Sequence, residues 1–371
     1  MWSVVWRHNG RARGQKLQKS AYLIGAKVDE LDRPSGSSNP LHEFHLYRTR
    51  NDVDIFDFGL IDSKGPSWFA RRMPPEFQFA VCAAGVRDRY ASSLASGESI
   101  GWPMAITDLF RRKRKPLCIV VHGSYFASWK WRAIASVLRR LRHVHWACLS
   151  SSLKRAMIED FGFKENQVHN AGYGVDTTYF QPPAETRSDS RLVVSAGTAS
   201  RDYRTLVSAC RGLEVTLRIA VDSAWYRSAV DLGSEPLPSH WSAESAGNYA
   251  GLRDLYARAG VVVVPLHPVR HACGYAVIVE AMAMGKPVVA TRTPAVSDFI
   301  EHGVNGFLVE PGDVEGLRRQ IQVLVEDDEL ASRIGARARL DCVSQWSLEA
   351  YCERLEAIVD WIENQSATSG R

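Results

Sequence analysis

The chain has 371 residues, of which 45% are hydrophobic and 23% charged, so it is long enough for two domains with full cores and ordinary for a globular protein. No apolar run approaches the roughly 20 residues of a membrane-spanning helix, and the opening ten residues are too short for a signal peptide. The seven cysteines form no CxxC pair, which argues against a metal cage and for a reducing compartment. We therefore expect a cytoplasmic protein.

Charge divides the chain into two unlike halves. Residues 1–175 contain 27 Lys and Arg against 15 Asp and Glu, whereas the remainder contains 19 against 26. Between Leu109 and Ile158 there are twelve basic residues and no acidic one. This asymmetry indicates that the first half faces an anionic partner or that the two halves face each other, and a solvated basic surface is the third interpretation.

The first 110 residues carry few clear signals. Residues 86–110 in particular are too mixed to divide into elements. The elements predicted before them are a strand beginning at Val4 and Val5, a helix over residues 16–29, a loop over 33–40, and strands over 54–61 and 77–83.

A buried strand is predicted over residues 117–121, directly after the basic run RRKRK at residues 111–115. A basic pentamer is typical of nucleic-acid signals, but beside a buried strand we interpret it as a surface loop. His122 follows the carboxyl end of this strand, where α/β proteins build their sites. Its alternative is an ordinary structural histidine.

A helix is predicted next, with arginines around an apolar stripe. It packs on the core, or it lies on anionic lipid through that stripe. The stripe consists of Trp131, Ile134, Val137, Leu138 and Leu141. A strand over residues 147–150 and a helix over residues 151–161 follow.

The stretch FQPPAETRSDS at residues 180–190 is the one clear linker, because it combines two prolines with polar residues and has no periodicity. We therefore predict an N-terminal domain over residues 1–180, a second domain over 181–347 and a C-terminal helix and tail over 348–371. The elements predicted for the second domain and the tail are strands over 192–196 and 215–221, a helix from Tyr203, a loop over 223–248, and helices over 317–326, 329–340 and 348–362.

The most informative stretch begins at Val261 and reads VVVVPLHPVRHACGYAVIVEAMAMGKPVVAT. Its four valines predict a buried parallel strand, and a helix is predicted from Gly274 to Met284 after a loop. Gly285 ends that helix at a position that favours a left-handed residue, and the final VVAT predicts the next strand. The stretch is therefore one βαβ unit.

The start of this helix is a candidate phosphate site. The backbone amides of Gly274 and Tyr275 have no partner within the helix, and such amides bind phosphate. Glu280 lies about 9 Å further along the axis at about 1.5 Å per residue, where a carboxylate suits the hydroxyls of a nucleoside ribose. The alternative is an ordinary crossover helix with a solvated glutamate.

Four segments together resemble the retaining GT-B enzymes of glycosyltransferase family 4. Residues 274–291 resemble the donor-site signature of that family, and three further runs agree with it in order and spacing, at residues 170–182, 251–265 and 301–313. The resemblance covers roughly residues 145–325. It implies an α/β fold of two Rossmann-like domains that face each other across a cleft, with the last helix crossing back onto the first domain.

The resemblance also implies an activity. Members of this family transfer a hexosyl unit from a nucleotide-diphosphate sugar to a saccharide or lipid-linked acceptor, with retention of configuration and without a bound metal. We therefore expect no cofactor beyond a UDP- or GDP-linked sugar as co-substrate. The residues that the resemblance assigns are His122 and Arg201 for catalysis, and Gly197, Arg201, Gly274, Tyr275, Ala276 and Glu280 for donor binding.

Two positions depart from the family pattern. Thr198 stands where a basic residue is usual, and Ala272 stands where the first of two glutamates is usual, with Arg270 and His271 as candidates to compensate. A catalytically silent nucleotide-sugar binder and another GT-B enzyme, such as a sugar-nucleotide epimerase, therefore stay open. We expect no nucleic acid as a partner, because no nucleic-acid module is legible, and we expect an anionic membrane surface to contact residues 111–146.

Overall fold

A computed structural model describes residues 20–27, 39–50, 53–66, 68, 70–184, 188–221, 230–269 and 271–369. Its first domain is built on a six-stranded sheet in which all neighbours are parallel, in the order β2-β1-β3-β4-β5-β6. The strands are β1 (Ser20–Leu23), β2 (Val53–Phe56), β3 (Ser93–Ala95), β4 (Leu117–Val121), β5 (Val144–Cys148) and β6 (Val168–Asn170).

The second domain contains another six-stranded parallel sheet, in the order β12-β11-β10-β7-β8-β9. The chain leaves β7 in one direction and returns to β10 on its other side. Such a reversal of strand order opens a crevice at the carboxyl ends of the two strands, where α/β proteins bind ligands. The strands are β7 (Leu192–Ala196), β8 (Thr216–Ala220), β9 (Ser242–Glu244), β10 (Val261–Val264), β11 (Val288–Thr291) and β12 (Phe307–Val309).

Helices alternate with the strands in both domains, which confirms the predicted α/β class with two Rossmann-like sheets. Several helices begin at a capping side chain: Ser150 accepts a hydrogen bond from the Leu153 amide, and Asp202 accepts one from the Thr205 amide. The helices are α1 (Glu43–Arg50), α2 (Gly59–Lys64), α3 (Pro75–Arg87), α4 (Glu98–Thr107), α5 (Trp129–Leu138), α6 (Ser151–Glu159), α7 (Tyr203–Cys210), α8 (Tyr249–Arg258), α9 (Tyr275–Ala283), α10 (Val314–Glu326), α11 (Asp328–Gln345) and α12 (Leu348–Ser369).

Helix α12 packs on the first domain, as predicted for the last helix. Arg50 of α1 forms salt bridges with Glu353 at 3.2 Å and Glu356 at 3.0 Å. The Ser92 hydroxyl donates to Glu363 at 2.6 Å, and the Trp361 ring packs against the ring of His169. The C-terminal helix is therefore part of the N-terminal domain in space.

Three predictions for the first domain are wrong. Residues 77–83 belong to α3 rather than to a strand, because Pro75 starts a helix whose apolar residues recur at helical spacing. Residues 20–23 form β1 between two parallel neighbours, not the helix predicted over 16–29. The strand predicted over residues 54–61 ends at Phe56, and α2 follows it.

Other predictions fall partly or wholly outside the described residues. These are the strand at Val4 and Val5, residues 16–19 and 28–29 of the predicted helix, and residues 33–38 of the predicted loop. In the loop predicted over residues 223–248, residues 223–229 lie outside the description, and β9 forms within the remainder. The predicted domain boundary at residue 180 falls between β6 and β7 and stays a prediction.

Helix α5 confirms the helix that was predicted around Trp131, and its apolar stripe faces the core. Trp131 is 2% exposed and packs edge-on against Trp146, with 6.0 Å between the ring centroids. Leu138 and Leu141 are also buried. These three residues of the stripe are therefore unavailable to lipid, whereas Val137 is 36% exposed and the exposed tryptophan of the helix is Trp129, at 75%.

Candidate functional site

The βαβ unit predicted from the sequence is present as β10, α9 and β11. All four valines of β10 are buried, and Gly274 caps α9 with a left-handed backbone, at φ +81°. A Cβ on Gly274 would lie 3.0 Å from Val264 Cγ1 and 3.3 Å from Leu266 Cδ1, so glycine alone allows this tight helix start. The amides of Tyr275 and Ala276 follow at the first turn, where a helix offers no carbonyl acceptor.

Glu280 is buried inside the second domain, so the alternative of a solvated glutamate is wrong. Its side chain is 8% exposed, and Oε2 accepts a hydrogen bond from the Tyr256 hydroxyl at 3.0 Å. Burial raises the pKa of Glu280 to about 7, although the Tyr256 hydrogen bond and the charge of Arg201 both lower it. Burial thus favours the neutral form of the carboxyl group up to a higher pH than in an exposed glutamate.

Arg201 lies in the loop after β7 and binds that loop. Its Nε donates to the Ala196 carbonyl at 2.9 Å, and Nη1 donates to the Ala199 carbonyl at 2.8 Å. Gly197 has a φ of +87°, and a Cβ there would lie 2.7 Å from Arg201 Nη2. The glycine therefore makes room for the guanidinium. Nη1 also approaches Cys273 Sγ at 3.5 Å, in the loop between β10 and α9, which we call the donor loop after the role expected for it from the sequence.

His122 follows β4 and lies against the second domain. Its backbone carbonyl accepts the amide of Ala272 at 2.9 Å, and its ring Nε2 is 3.2 Å from the Ser96 carbonyl. A Cβ on the next residue, Gly123, would lie 3.3 Å from His271 Cα. The structure thus brings His122 to the loop between β10 and α9, as expected for a residue between the two domains.

The two positions that depart from the family pattern are also at this crevice. Thr198 is buried at 8% exposure in the loop after β7, and Ala272 uses its amide to contact His122. His271 Nε2 is 3.4 Å from Ser200 Oγ, and burial lowers the pKa of His271. Arg270 lies outside the described residues.

Three residues of this region were not predicted from the sequence. Tyr256 hydrogen-bonds Glu280, Glu98 binds the backbone around His122, and Asp298 accepts from both the amide and the hydroxyl of Ser151 at 2.5 Å. The last contact joins the second domain to the first residue of α6. Within the described residues, no three His, Cys, Asp or Glu side chains form a group that could hold a metal ion.

Comparison with known proteins finds a family match within the second domain. Residues 205–327 match the family model described as Glycosyl transferases group 1. The chain is 42% identical over 74 residues to the lipopolysaccharide core biosynthesis glycosyltransferase LpsE of Rhizobium meliloti, which covers 20% of this chain and 22% of that protein. It is 27% identical over 234 residues to the sulfoquinovosyl transferase SQD2 of Arabidopsis thaliana, which covers 58% and 44%. Each of these matches spans less than half of the relative's own length.

Solved structures resemble almost the whole chain. A glycosyltransferase from Rickettsia africae superposes with a TM-score of 0.70 at 16% identity, over 94% of this chain and 99% of that one. HepE of Anabaena, in complex with UDP and glucose, superposes with a TM-score of 0.69 at 18% identity, over 92% and 99%. The protein therefore has the GT-B fold. Its second domain carries a segment of the group 1 glycosyltransferase kind.

Proposed function

We propose that this protein is a glycosyltransferase that moves a hexosyl unit from a UDP- or GDP-linked sugar to a saccharide or lipid-linked acceptor, with retention of configuration. The observation that carries the proposal is a glycine-capped helix start beside the crevice between β7 and β10, paired with the buried carboxylate of Glu280 on the same helix. The glycosyltransferase names of the relatives and the UDP and glucose bound to the Anabaena protein support it.

The diphosphate of the donor would lie at the start of α9. There the amides of Tyr275 and Ala276 and the helix dipole attract negative charge, and Arg201 adds a full positive charge beside Cys273, the residue before the Gly274 cap. Because carbonyl groups hold the Arg201 guanidinium in place, its charge needs no rearrangement as the leaving diphosphate gains charge. Glu280 would accept hydrogen bonds from the ribose hydroxyls.

We propose that the reaction needs no bound metal, since positive groups of the protein face the diphosphate. The measurement is the rate of transfer after extensive treatment with EDTA, with and without added Mg²⁺ or Mn²⁺. Equal rates are expected. A rate that falls with EDTA and returns with one metal would contradict this part of the proposal.

The acceptor would enter from the first domain, whose His122 meets the donor loop through Ala272. His122 would then lie beside the transferred sugar, and we expect His122→Ala to lower kcat more than donor affinity. The absence of a carboxylate at Ala272 leaves the hexose with one contact fewer than the family pattern provides.

The basic surface of the first domain is proposed to face an anionic membrane, with the protein at the cytoplasmic side. The loops before β4 and β5 are adjacent, because the Leu117 amide binds the His143 carbonyl at 2.9 Å. They carry Phe110, which is 88% exposed, together with the exposed Arg140 and Arg142. Each basic residue near an anionic bilayer contributes about 1 kcal/mol, which salt weakens. None of the described helices is long and apolar enough to cross a bilayer.

Co-sedimentation with vesicles tests this partner. Anionic vesicles should retain the protein at low salt and release it at high salt, whereas neutral vesicles should not retain it. Reversing Arg140 and Arg142 to Glu should abolish retention, and reversing the exposed Arg319 and Arg333 of the second domain should not. Equal recovery with both kinds of vesicle would contradict the membrane partner. The remaining interpretation would be that the basic surface binds a soluble anionic acceptor.

The donor can be identified by thermal shift with UDP, GDP, ADP and their common sugars, because a ligand that binds the folded state stabilises it. Release of nucleotide from that sugar, with and without acceptor saccharides, then separates a transferase from a silent binder, and conversion to an epimeric sugar would reveal an epimerase. Glu280→Ala should weaken donor binding roughly 10- to 150-fold, the loss of one hydrogen bond to a buried charged group. A chain that neither binds nor cleaves any of these compounds would overturn the proposal.

A further inference from the structure

A buried carboxylate that the proposed chemistry does not use lies beside His122. Glu98 is the first residue of α4, three positions after the last residue of β3, and it is 3% exposed. Its Oε2 accepts the His122 amide at 2.7 Å, and its Oε1 accepts the Ser124 amide at 2.8 Å. Both oxygens therefore bind the turn after β4, one on each side of Gly123.

This turn has little freedom to adopt another shape. Gly123 has a φ of +78°, and a Cβ there would lie 2.5 Å from Leu153 Cδ2. The turn is thus pressed between α6 and the donor loop, to which the His122 carbonyl is joined by the amide of Ala272. A shift of the turn would therefore move His122 relative to the donor loop.

Ser96, the residue that follows β3, orients the ring of His122. Its Nε2 is 3.2 Å from the carbonyl of Ser96, which can only accept, so Nε2 carries the proton. In the neutral imidazole, the other ring nitrogen, Nδ1, is then the acceptor. In the segment from Ser96 to Glu98, the Ser96 carbonyl therefore fixes the ring of His122, and the Glu98 carboxylate fixes its backbone.

We infer that Glu98 is a positioning residue for transfer, which holds the His122 turn in the geometry that meets the donor loop. This inference rests on the proposed function, because it assigns His122 to the transferred sugar. Burying a carboxylate is costly unless hydrogen bonds replace its water, and two charge-assisted bonds to backbone amides do so here. The same two bonds fix the turn at two points, which one neutral acceptor cannot do.

The replacement Glu98→Gln tests this role, because its single amide oxygen can serve only one of the two N–H groups. We expect kcat to fall roughly 10- to 150-fold, the range for one lost hydrogen bond to a charged group. The Kd of UDP, or of GDP if the wild type binds GDP more tightly, should change less than about twofold, since the proposed nucleotide contacts all lie in the second domain.

Glu363→Gln is the matched control. Glu363 also lies at the first domain and accepts from the hydroxyls of Ser92 at 2.6 Å and Ser20 at 3.1 Å, but it does not bind the turn. The control should lower thermal stability and leave kcat unchanged. If Glu98→Gln behaves like the control, losing stability but not kcat, the positioning role is refuted.

Nuclear magnetic resonance of histidine-labelled protein gives a readout that does not depend on activity. His122→Ala assigns the ring signals, and the wild type should show the Nε2-protonated form. Glu98→Gln should shift those signals, and unchanged signals would overturn the inference even if kcat falls. Where Glu98→Gln does not fold, Glu98→Asp keeps the charge with a shorter reach and should shift the same signals. A wild type that neither binds nor cleaves a nucleotide sugar would refute the proposed function, and the His122 signals would still decide the role of Glu98.

Discussion

Replacing Glu280 by Gln should make the protein more stable above neutral pH and a poorer binder of its donor. Burial raises the pKa of this carboxyl group from 4.5 to about 7. Its neutral form is thus favoured in the folded state, so the stabilising contribution is complete below pH 4.5 and is lost as pH rises through 7. Each pKa unit corresponds to about 1.4 kcal/mol, so the fully charged group costs about 3 kcal/mol relative to the neutral one.

The replacement removes this pH dependence, because a Gln side chain stays neutral and its oxygen can still accept from Tyr256. Between pH 5 and pH 8 the stability of the variant relative to the wild type should therefore rise by roughly 2 to 3 kcal/mol. For a domain of this size that is roughly 5 to 10 °C in Tm.

The assay is thermal unfolding of both proteins from pH 5 to pH 8 without ligand, followed by titration with the nucleotide. The exposed Glu329→Gln on α11 serves as the control and should follow the wild type at every pH. If the Tm curves of the Glu280→Gln variant and the wild type run parallel over this range, the assignment of a costly buried charge to Glu280 is wrong.

Three further outcomes are expected. Tyr256→Phe removes a hydrogen bond that lowers the pKa of Glu280, so the pKa should rise further and nucleotide affinity at pH 7 should fall by roughly 2- to 10-fold, measured by calorimetry. Gly274→Ala forces a side chain into a left-handed position against β10, and should cost about 1 to 3 kcal/mol in unfolding free energy, together with nucleotide binding. Asp298→Asn weakens the contact with Ser151 between the domains and should increase the radius of gyration in small-angle scattering, while an unchanged radius would show that this contact does not hold the domains together.

The part of the site that is local in sequence could be predicted from sequence. Four valines followed by a loop, a glycine and an apolar helix allow few arrangements, and β10, α9 and β11 match the prediction within a residue or two. The same holds for β4 and β7, which were predicted with the bounds that the structure shows. Each of these strands is buried on both faces, so its continuous apolar composition alone indicates a buried strand.

The parts that depend on distant residues could not be predicted. The strand predicted over residues 77–83 is instead part of α3, in which Phe79, Ala83 and Val86 are buried at helical spacing. Tyr256 is 24 positions from Glu280 in the sequence, and Glu98 is 24 positions from His122, so neither pairing leaves a local pattern. The sequence also could not reveal that Arg201 packs beneath Gly197, because that requires the left-handed backbone of the loop.

Helix α12 has a consequence for how the chain is made. Its residues 348–369 cover the first domain, where Trp361 packs on His145 and His169 and Glu363 binds Ser92. Nearly 200 residues separate the end of β6 from the end of this helix, which at cellular rates of synthesis is roughly 10 to 40 seconds. During that interval the first domain lacks helix α12, which covers part of its core. The sheet of the second domain does not depend on this helix. The first domain, although it is synthesised first, therefore completes its fold last.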